Sequence, residues 1–337
     1  MSKILAIESS CDETAAAIID NGNLLSNIVS TQIEVHRKYG GVMPEIASRL
    51  HAENISIVIK EALEAAHISF EDLDAVAVTR GPGLIGALHV GLQAAKTISM
   101  LYKIPLIPVH HLAGHICANE YVSTFKFPLL AVVVSGGNTE LVLMRDHMDF
   151  EIIAETRDDA IGECYDKVAR VLGLPYPGGI PIDRLAKEGK HAYNLPTPLK
   201  GEKTLDFSYS GLKTNVINLV HNLEQKGETV NVADMCKSFQ DVAVGLVIDR
   251  TVKAIKEHKV NQVILAGGVS ANSYLREQMT LEMAKLGVEI NIPPMWCCTD
   301  NAAMIAKVAS RLYDLKVFAP LDLGVDPNWK IDEWNKF

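Results

Sequence analysis

The chain repeats one structural plan twice, and this duplication limits the folds that it can adopt. In each copy an apolar strand runs into a tip of small polar residues and returns as a second apolar strand, over residues 4–29 and again over residues 129–145. Each copy also has a buried strand that leads through a glycine-rich loop into a helix, at residues 75–101 and from residue 263. Strands that alternate with helices are typical of α/β proteins. The sequence therefore predicts an α/β fold of two similar halves.

Charge and cysteine usage exclude several classes of protein. A net charge of -9 argues against a protein that coats nucleic acid by bulk electrostatics. The 6 cysteines show no CxxC spacing and no disulfide-rich pattern, which suits a reducing cytoplasm. The chain enters a strand without an apolar signal segment, and no apolar run reaches membrane-spanning length. We therefore expect a cytoplasmic protein.

Two histidines four residues apart form the leading candidate for a functional site. His111 and His115 follow an apolar run at 104–109, and on a helix their spacing places both imidazoles on one face. Such a pair can hold a metal ion, and it can equally be a pair of surface or capping histidines. Zinc proteases with this spacing carry a glutamate directly after the first histidine as general base, whereas this chain has Leu112. A proteolytic site therefore lacks its base.

A third metal ligand could come from residues 298–301. Thr299 or Asp300 is predicted to stand at the N-terminus of a helix. Both residue types are favoured as N-caps, and a carboxylate also suits a metal that is bound by two imidazoles. The pattern leaves both roles open for Asp300.

The two hairpin tips carry different polar residues. Asp12 and Glu13 stand at the first tip, and residues 135–137, Ser-Gly-Gly, at the second. Backbone N–H groups of such turns can face an anion, although a hairpin tip can also be merely solvated. The glycine-rich loop at residues 81–87 fits neither a P-loop nor a dinucleotide fingerprint.

Motifs spread over nearly the whole chain resemble those of one family, the TsaD proteins (also called Gcp or YgjD), which are tRNA N6-adenosine threonylcarbamoyltransferases. No single motif is decisive, but together and in order they are highly specific. One departure is Asn138, because the family often has histidine after the paired glycines. The matching segments are residues 7–14, 40–45, 81–84, 110–115, 135–137, 207–214, 267–272 and 298–301.

The resemblance implies a fold and a reaction. The fold is the duplicated two-lobe α/β fold of actin, heat-shock chaperone ATPases and sugar kinases. Residues 1–115 and 296–337 would form the N-terminal lobe, and residues 116–295 a second lobe with a family-specific insert. Members transfer the threonylcarbamoyl group from threonylcarbamoyl-adenylate, which a separate enzyme makes, to N6 of the adenosine 3′ to the anticodon. The substrates are tRNAs that read ANN codons, and AMP is released.

The resemblance also implies site residues and partners. His111, His115 and Asp300 would hold one divalent metal ion, Fe(II) or Zn(II). From its place at the first tip, Asp12 or Glu13 could orient the attacking amine or take its proton, unless both are simply solvated. The partners would be tRNA, a shorter inactive paralogue (TsaB-like) and a P-loop ATPase (TsaE-like), with no membrane. The adenylate site would be lined by Val134, Ser135, Gly136, Gly137, Asn138, Asp166, Gly179, Asp183 and Asn272.

Other functions remain as alternatives. An ATP-hydrolysing kinase or chaperone-like switch would use the same hairpins but has no need of two histidines and an aspartate. An inactive scaffold would be expected to lose the histidine pair and the loop at residues 267–272, which are intact. Binding of tRNA would require a local basic face in this acidic chain. Its candidates form two groups, Arg37, Lys38 and Arg49 in one and Lys200, Lys203 and Lys213 in the other.

Overall fold

The computed structural model describes residues 2–336, which form two compact units. The first comprises Met1–Ser123 and Thr299–Phe337, and the second Thr124–Cys298. The lobe boundaries expected from the sequence, at 115/116 and 295/296, lie eight and three residues before these junctions.

Strands and helices alternate in both units. The strands are β1 (Lys3–Glu8), β2 (Glu13–Asp20), β3 (Asn23–Thr31), β4 (Ala75–Gly81), β5 (Leu106–His110), β6 (Leu129–Val134), β7 (Thr139–Met144), β8 (Phe150–Glu155), β9 (Gln262–Ala266) and β10 (Glu289–Asn291). The helices are α1 (Ile33–Arg37), α2 (Pro44–Ala66), α3 (Ile85–Tyr102), α4 (His111–Cys117), α5 (Ile161–Val171), α6 (Gly179–Ala186), α7 (Ser210–Gln225), α8 (Val232–His258), α9 (Ser273–Leu286), α10 (Met295–Cys298) and α11 (Ala302–Asp314).

The two sheets have the same topology. The strand order is β3-β2-β1-β4-β5 in the first unit and β10-β9-β6-β7-β8 in the second. β1 and β6 take equivalent places, because each pairs antiparallel with the strand that follows it and parallel with the strand of the later strand–loop–helix segment. Parallel pairs need a crossover connection, and helices supply it here. The predicted α/β duplication is therefore confirmed.

Helices cover the central strands, and the side chains of these strands are accordingly almost all apolar. β1 is buried from Ile4 to Glu8, and β6 over its full length. α2, α3 and α11 contact the first sheet, while the second core joins β6 and β7 to α5, α7 and α8. Glu8 is the exception in this apolar setting, since its carboxylate lies at the end of β1 with 0% of the residue exposed.

α5 begins at Ile161, and the acidic residues Asp158 and Asp159 precede it. Asp158 instead accepts a 2.7 Å hydrogen bond from the backbone N–H of Tyr209, directly before α7. Asp159 forms an ion pair with Lys213 in the first turn of α7. Both acids therefore stabilise the start of α7, and Lys213 already has an acidic partner.

Among the described residues, no helix combines the length and the apolar character needed to span a bilayer.

Candidate metal centre and nucleotide site

The chain turns directly from β5 into α4, which carries the histidine pair. His110 is the N-cap of α4, and its Nδ1 accepts a 3.2 Å hydrogen bond from the backbone N–H of Leu112. Its Nε2–H donates to the carbonyl of Trp329 at 2.8 Å. Burial lowers the pKa of His110 to about 3, which keeps the ring neutral. The third histidine of the motif is therefore a structural cap and does not face the metal site.

His111 and His115 lie on the same face of α4, as their spacing predicted. Their ring centroids are 4.8 Å apart, with an interplanar angle of 87°. Both residues are buried, at 7% and 1% exposure. Gly114 lies between them, where an added Cβ would come within 3.0 Å of Ile305 and 3.2 Å of Met304 on α11. The absence of a side chain at residue 114 therefore lets α4 pack closely on α11.

Asp300 meets both histidines because a different residue caps α11. The N-cap is Asn301, whose side chain accepts a 3.1 Å hydrogen bond from the backbone N–H of Met304. The predicted N-cap role of Thr299 or Asp300 is therefore wrong. The Oδ1 atom of Asp300 lies 3.0 Å from Nε2 of His115 and 3.6 Å from Nε2 of His111.

These distances fit a single metal ion. A tetrahedral ion with bonds of about 2.1 Å separates its ligand atoms by about 3.4 Å. The ligand atoms of His111, His115 and Asp300 all lie within 4.8 Å of one another. Three protein ligands leave at least one coordination position for water or substrate, as catalytic metal sites require. The residues present therefore fit one divalent ion.

The carboxylates and imidazoles of the cluster shift one another's pKa values toward the charged forms. Burial alone would raise the pKa of Asp300, but the positive charge of His111 and the hydrogen bond of His115 hold it well below its ordinary value. Burial likewise opposes the charged form of His111, yet Asp300 and Glu8 raise its pKa. The carboxylates of Glu8 and Asp300 thus favour positive charge at the cluster, and a metal ion that binds there displaces the protons of the imidazoles.

Residues 9–12 join β1 to β2 in the same unit, and together with Glu13, the first residue of β2, they form the Asp12 tip. Glu13 is 8% exposed and its Oε1 accepts a 2.9 Å hydrogen bond from the hydroxyl of Thr31. Burial and the negative charge of Asp12 raise the pKa of Glu13 well above its ordinary value. Burial also raises the pKa of Cys11, so this thiol is no ready nucleophile. The raised pKa therefore favours the protonated form of Glu13.

His51 on α2 anchors the backbone of the Asp12 tip. Its Nε2–H donates to the carbonyl of Cys11 at 2.9 Å, and its Nδ1 accepts from the hydroxyl of Thr14 at 2.8 Å. Gly83 closes the tip from another side, since an added Cβ would lie 2.6 Å from the carbonyl oxygen of Ser10. The glycine-rich loop after β4 therefore packs on the tip.

Residues 135–138, the Ser135 tip, join β6 to β7 in the second unit. The N–H of Ser135 donates to the carbonyl of Asn138 at 2.9 Å, and the N–H of Asn138 donates to Oγ of Ser135 at 3.0 Å. Within the described chain, the N–H groups of Gly136 and Gly137 have no such partner. An added Cβ at either glycine would meet nothing within 4 Å. The Ser135 tip therefore has two amide donors without an internal partner, at two glycines with room beside them.

Two other glycines hold the Ser135 tip in place. An added Cβ would lie 2.5 Å from the Ser135 carbonyl oxygen at Gly162, and 2.5 Å from the Val134 carbonyl oxygen at Gly267. Gly267 also has a φ of +87°, a conformation that favours glycine. Backbone segments from α5 and from the loop after β9 thus press against the tip.

The remaining predicted adenylate residues lie around α6 and the start of α9. Asp166 accepts a 2.7 Å hydrogen bond from the N–H of Gly178, and Gly179 beside it has open space where a Cβ would stand. Asp183 accepts hydrogen bonds from the N–H (3.1 Å) and the hydroxyl (2.7 Å) of Ser273. Asp183 therefore caps α9 from the neighbouring helix.

Gln240 on α8 links two of these residues, and no motif indicated it. Its Nε2 donates to Oδ1 of Asp183 at 3.2 Å, and its Oε1 accepts from Nδ2 of Asn272 at 2.9 Å. The same Oε1 accepts from the hydroxyl of Tyr165 at 3.2 Å. Gln240 is 2% exposed, so these bonds fix the orientation of its amide.

Comparisons with known proteins agree on one family. The family model described as TsaD, tRNA N6-adenosine threonylcarbamoyltransferase, matches residues 23–307. A protein of Geobacillus kaustophilus with that enzyme name is 55% identical over 327 residues, 96% of this chain and 96% of the relative. Its counterpart in Listeria welshimeri is 52% identical over 334 residues, 98% of this chain and 97% of the relative.

A solved structure supports the fold class. Full-length HypF in its phosphate- and nucleotide-bound form aligns with a TM-score of 0.62 and 16% identity, over 94% of this chain and 47% of that chain. At this identity the likeness concerns the fold alone, which is the duplicated α/β fold of the actin, heat-shock ATPase and sugar-kinase class. The family model and the sequence relatives show the family: this chain belongs to the TsaD family of tRNA N6-adenosine threonylcarbamoyltransferases.

Proposed function

We propose that this protein transfers the threonylcarbamoyl group from threonylcarbamoyl-adenylate to N6 of the adenosine 3′ to the anticodon, in tRNAs that read ANN codons. The observation that carries the proposal is the cluster of two buried histidines, His111 and His115, with the partly buried Asp300, in a chain 55% identical to a relative with this enzyme name. A kinase or chaperone-like ATPase of the same fold has no need of such a cluster.

The reaction is an acyl transfer. A bond forms between N6 and the carbamoyl carbon, the bond from that carbon to the phosphate oxygen breaks, N6 loses a proton and AMP leaves. N6 of adenine is a poor nucleophile because its lone pair is delocalised into the ring. The enzyme must therefore hold an activated donor in place and stabilise the charge that develops on it.

One divalent ion, Fe(II) or Zn(II), is proposed at His111, His115 and Asp300. When bound there, it supplies Lewis-acid chemistry that polarises a substrate oxygen. The two imidazoles and the carboxylate would hold the ion where little water screens its charge, because both histidines are buried.

The donor phosphate is proposed to bind at the amides of Gly136 and Gly137, which have no partner within the described chain. The sequence also suggested the backbone N–H of Ser135 as a phosphate donor, but this N–H donates to the carbonyl of Asn138 inside the turn. Preorganised backbone donors need no rearrangement when they meet an anion. The other proposed donor contacts are Val134, Ser135, Asn138, Asp166, Gly179, Asp183 and Asn272.

Asp12 and Glu13 are proposed to manage the proton of N6. Because its pKa is raised, Glu13 is protonated at neutral pH and acts as a hydrogen-bond donor, not as a base. Asp12, partly exposed at the tip, is then the proton acceptor of the pair. This division refines the sequence-based assignment, which left the two roles open.

The partners are proposed to be tRNA, a shorter inactive paralogue and a P-loop ATPase, in the cytoplasm. A chain of net charge -9 is expected to bind tRNA weakly on its own, because phosphate neutralisation supplies most non-specific affinity. A partner that adds basic surface would correct this deficit.

A reconstituted assay tests the proposal. Purified protein is mixed with threonylcarbamoyl-adenylate, unmodified tRNA and the candidate partners, and nucleosides are analysed by mass spectrometry. Threonylcarbamoyladenosine is expected only in the complete reaction. Absence of this nucleoside, together with rapid phosphorylation of a small sugar or acid by the protein alone, would favour the kinase function.

A further inference from the structure

Glu8 is a fully buried carboxylate with a complete set of partners. Its Oε1 accepts a 2.5 Å hydrogen bond from the backbone N–H of Ser10. Its Oε2 accepts a 2.6 Å bond from the hydroxyl of Thr79 and lies 3.2 Å from Nδ1 of His111. Burying a carboxylate is costly unless its partners compensate, so a position with 0% exposure indicates a specific use.

The contact between Glu8 and His111 determines which ring nitrogen carries the hydrogen. Oγ of Ser10 lies 3.1 Å from the same Nδ1, and a hydroxyl oxygen can accept from it as well. His111 can bind a metal ion only in its neutral form, because the protonated ring has no free lone pair, and the neutral ring has one N–H donor and one lone pair. A carboxylate oxygen only accepts, so the hydrogen of His111 stays on Nδ1. Nε2, which lies 3.6 Å from Asp300, then presents its lone pair to the place where the ligand atoms converge.

The second histidine lacks such support. Nδ1 of His115 is buried without a hydrogen-bond partner among residues 2–336. His111 is therefore held by an outer carboxylate and His115 is not, although the two rings stand side by side on α4. This asymmetry makes His111 the ligand whose orientation is set before the ion arrives.

We propose that Glu8 is a positioning residue that commits Nε2 of His111 to a divalent first-row metal ion. Glu8 does not contact the ion; it acts through the ring. Carboxylates that support metal-binding histidines in this way typically contribute about 10–100-fold in metal affinity. The inference rests on the metal site of the proposed function.

Glutamine at residue 8 cannot satisfy this arrangement in either orientation. With its NH2 group toward His111, it donates to Nδ1 and moves the ring hydrogen to Nε2, where it blocks the metal. With its NH2 group toward Ser10, two N–H donors face each other at a position where the native contact is 2.5 Å. The Glu8→Gln variant therefore tests whether Glu8 positions the hydrogen of His111, with almost no change in side-chain volume.

The experiment titrates metal-free protein with Co(II) and Zn(II) and measures the dissociation constants and the Co(II) absorption spectrum. Glu8→Gln is expected to bind about 10–100-fold more weakly than the wild type, with an altered spectrum. The matched control is Thr79→Val, which removes another hydrogen bond of Glu8 but leaves its contact with His111. This control is expected to stay within about threefold, because it changes stability and not the ring nitrogen.

A measurement on the wild type keeps the inference testable even if Glu8→Gln fails to fold. Nitrogen NMR of the Zn(II)-loaded protein is expected to show the metal on Nε2 of His111 and the hydrogen on Nδ1. Metal on Nδ1, or a folded Glu8→Gln variant with wild-type affinity and spectrum, would overturn the role of Glu8. Wild-type protein that binds neither ion would overturn the metal site itself.

Discussion

Replacing Gly137 with valine tests the proposed phosphate contact without disturbing the fold. Gly137 is exposed at the Ser135 tip, its φ lies outside the left-handed region, and an added Cβ would meet nothing within 4 Å. The protein itself therefore has room for the valine side chain. Surface substitutions of this kind usually change stability by no more than about 0.5 kcal/mol.

The effect on the donor is expected to be far larger. A valine side chain would stand where a phosphate must approach to reach the N–H groups of Gly136 and Gly137. Loss of two hydrogen bonds to a charged group costs about 1.5–3 kcal/mol each. Their sum, about 3–6 kcal/mol, corresponds to about 10²- to 10⁴-fold weaker binding. Transfer activity is expected to fall in parallel at sub-saturating donor.

Calorimetry with a non-hydrolysable threonylcarbamoyl-adenylate analogue measures this change, and thermal unfolding confirms that the variant is folded. Gly245→Ala on α8 is the matched control, because a Cβ there also meets nothing within 4 Å and the residue is absent from the proposed site. A folded Gly137→Val protein with wild-type donor affinity would refute a phosphate site at this tip.

Three further predictions concern the metal, the adenylate site and tRNA. Asp300→Asn is expected to fold but lose the metal. His111→Ala is expected to lose it and also to be destabilised by about 3–5 kcal/mol, because the buried carboxylate of Glu8 loses its ion-pair partner. Elemental analysis showing full occupancy in either variant would contradict the site. Gln240→Met is expected to weaken binding of the donor analogue about tenfold by releasing the residues that Gln240 orients; unchanged affinity in calorimetry would make Gln240 purely structural. Reversing the charges of Arg37 and Lys38 together is expected to lower tRNA affinity and flatten its salt dependence when the paralogue is present; an unchanged slope would place the tRNA elsewhere.

Much of the fold follows from local sequence signals. The apolar runs that become β1 and β6 are followed by turn residues and second apolar runs, and periodicity of this kind is a strong predictor of strands. The histidine pair was also accessible, because a four-residue spacing determines which side chains share a helix face. These inferences need only the geometry of one element.

Inferences that depend on two distant elements were less secure. Residues 299–301 read Thr-Asp-Asn, and all three types are good N-caps, so the sequence could not determine which one caps α11. The packing of α11 on α4 resolves this, because Asn301 takes the cap and Asp300 turns to the histidines. Gln240 gave no signal at all, since its three partners come from other segments of the second unit.

The glycines of the two tips explain why equal topology does not mean equal chemistry. At the Asp12 tip, Gly83 lies against the backbone of Ser10, where a side chain would not fit. The turn carries the acidic side chains of Asp12 and Glu13. The Ser135 tip instead has two glycines, Gly136 and Gly137, whose backbone N–H groups have no partner within the described chain and which have room beside them. An anion would be repelled by the carboxylates of the first unit unless a divalent cation offsets them, whereas the second tip attracts it without help. Removal of the proposed metal from the first unit is therefore expected to lower transfer without abolishing nucleotide binding to the second unit.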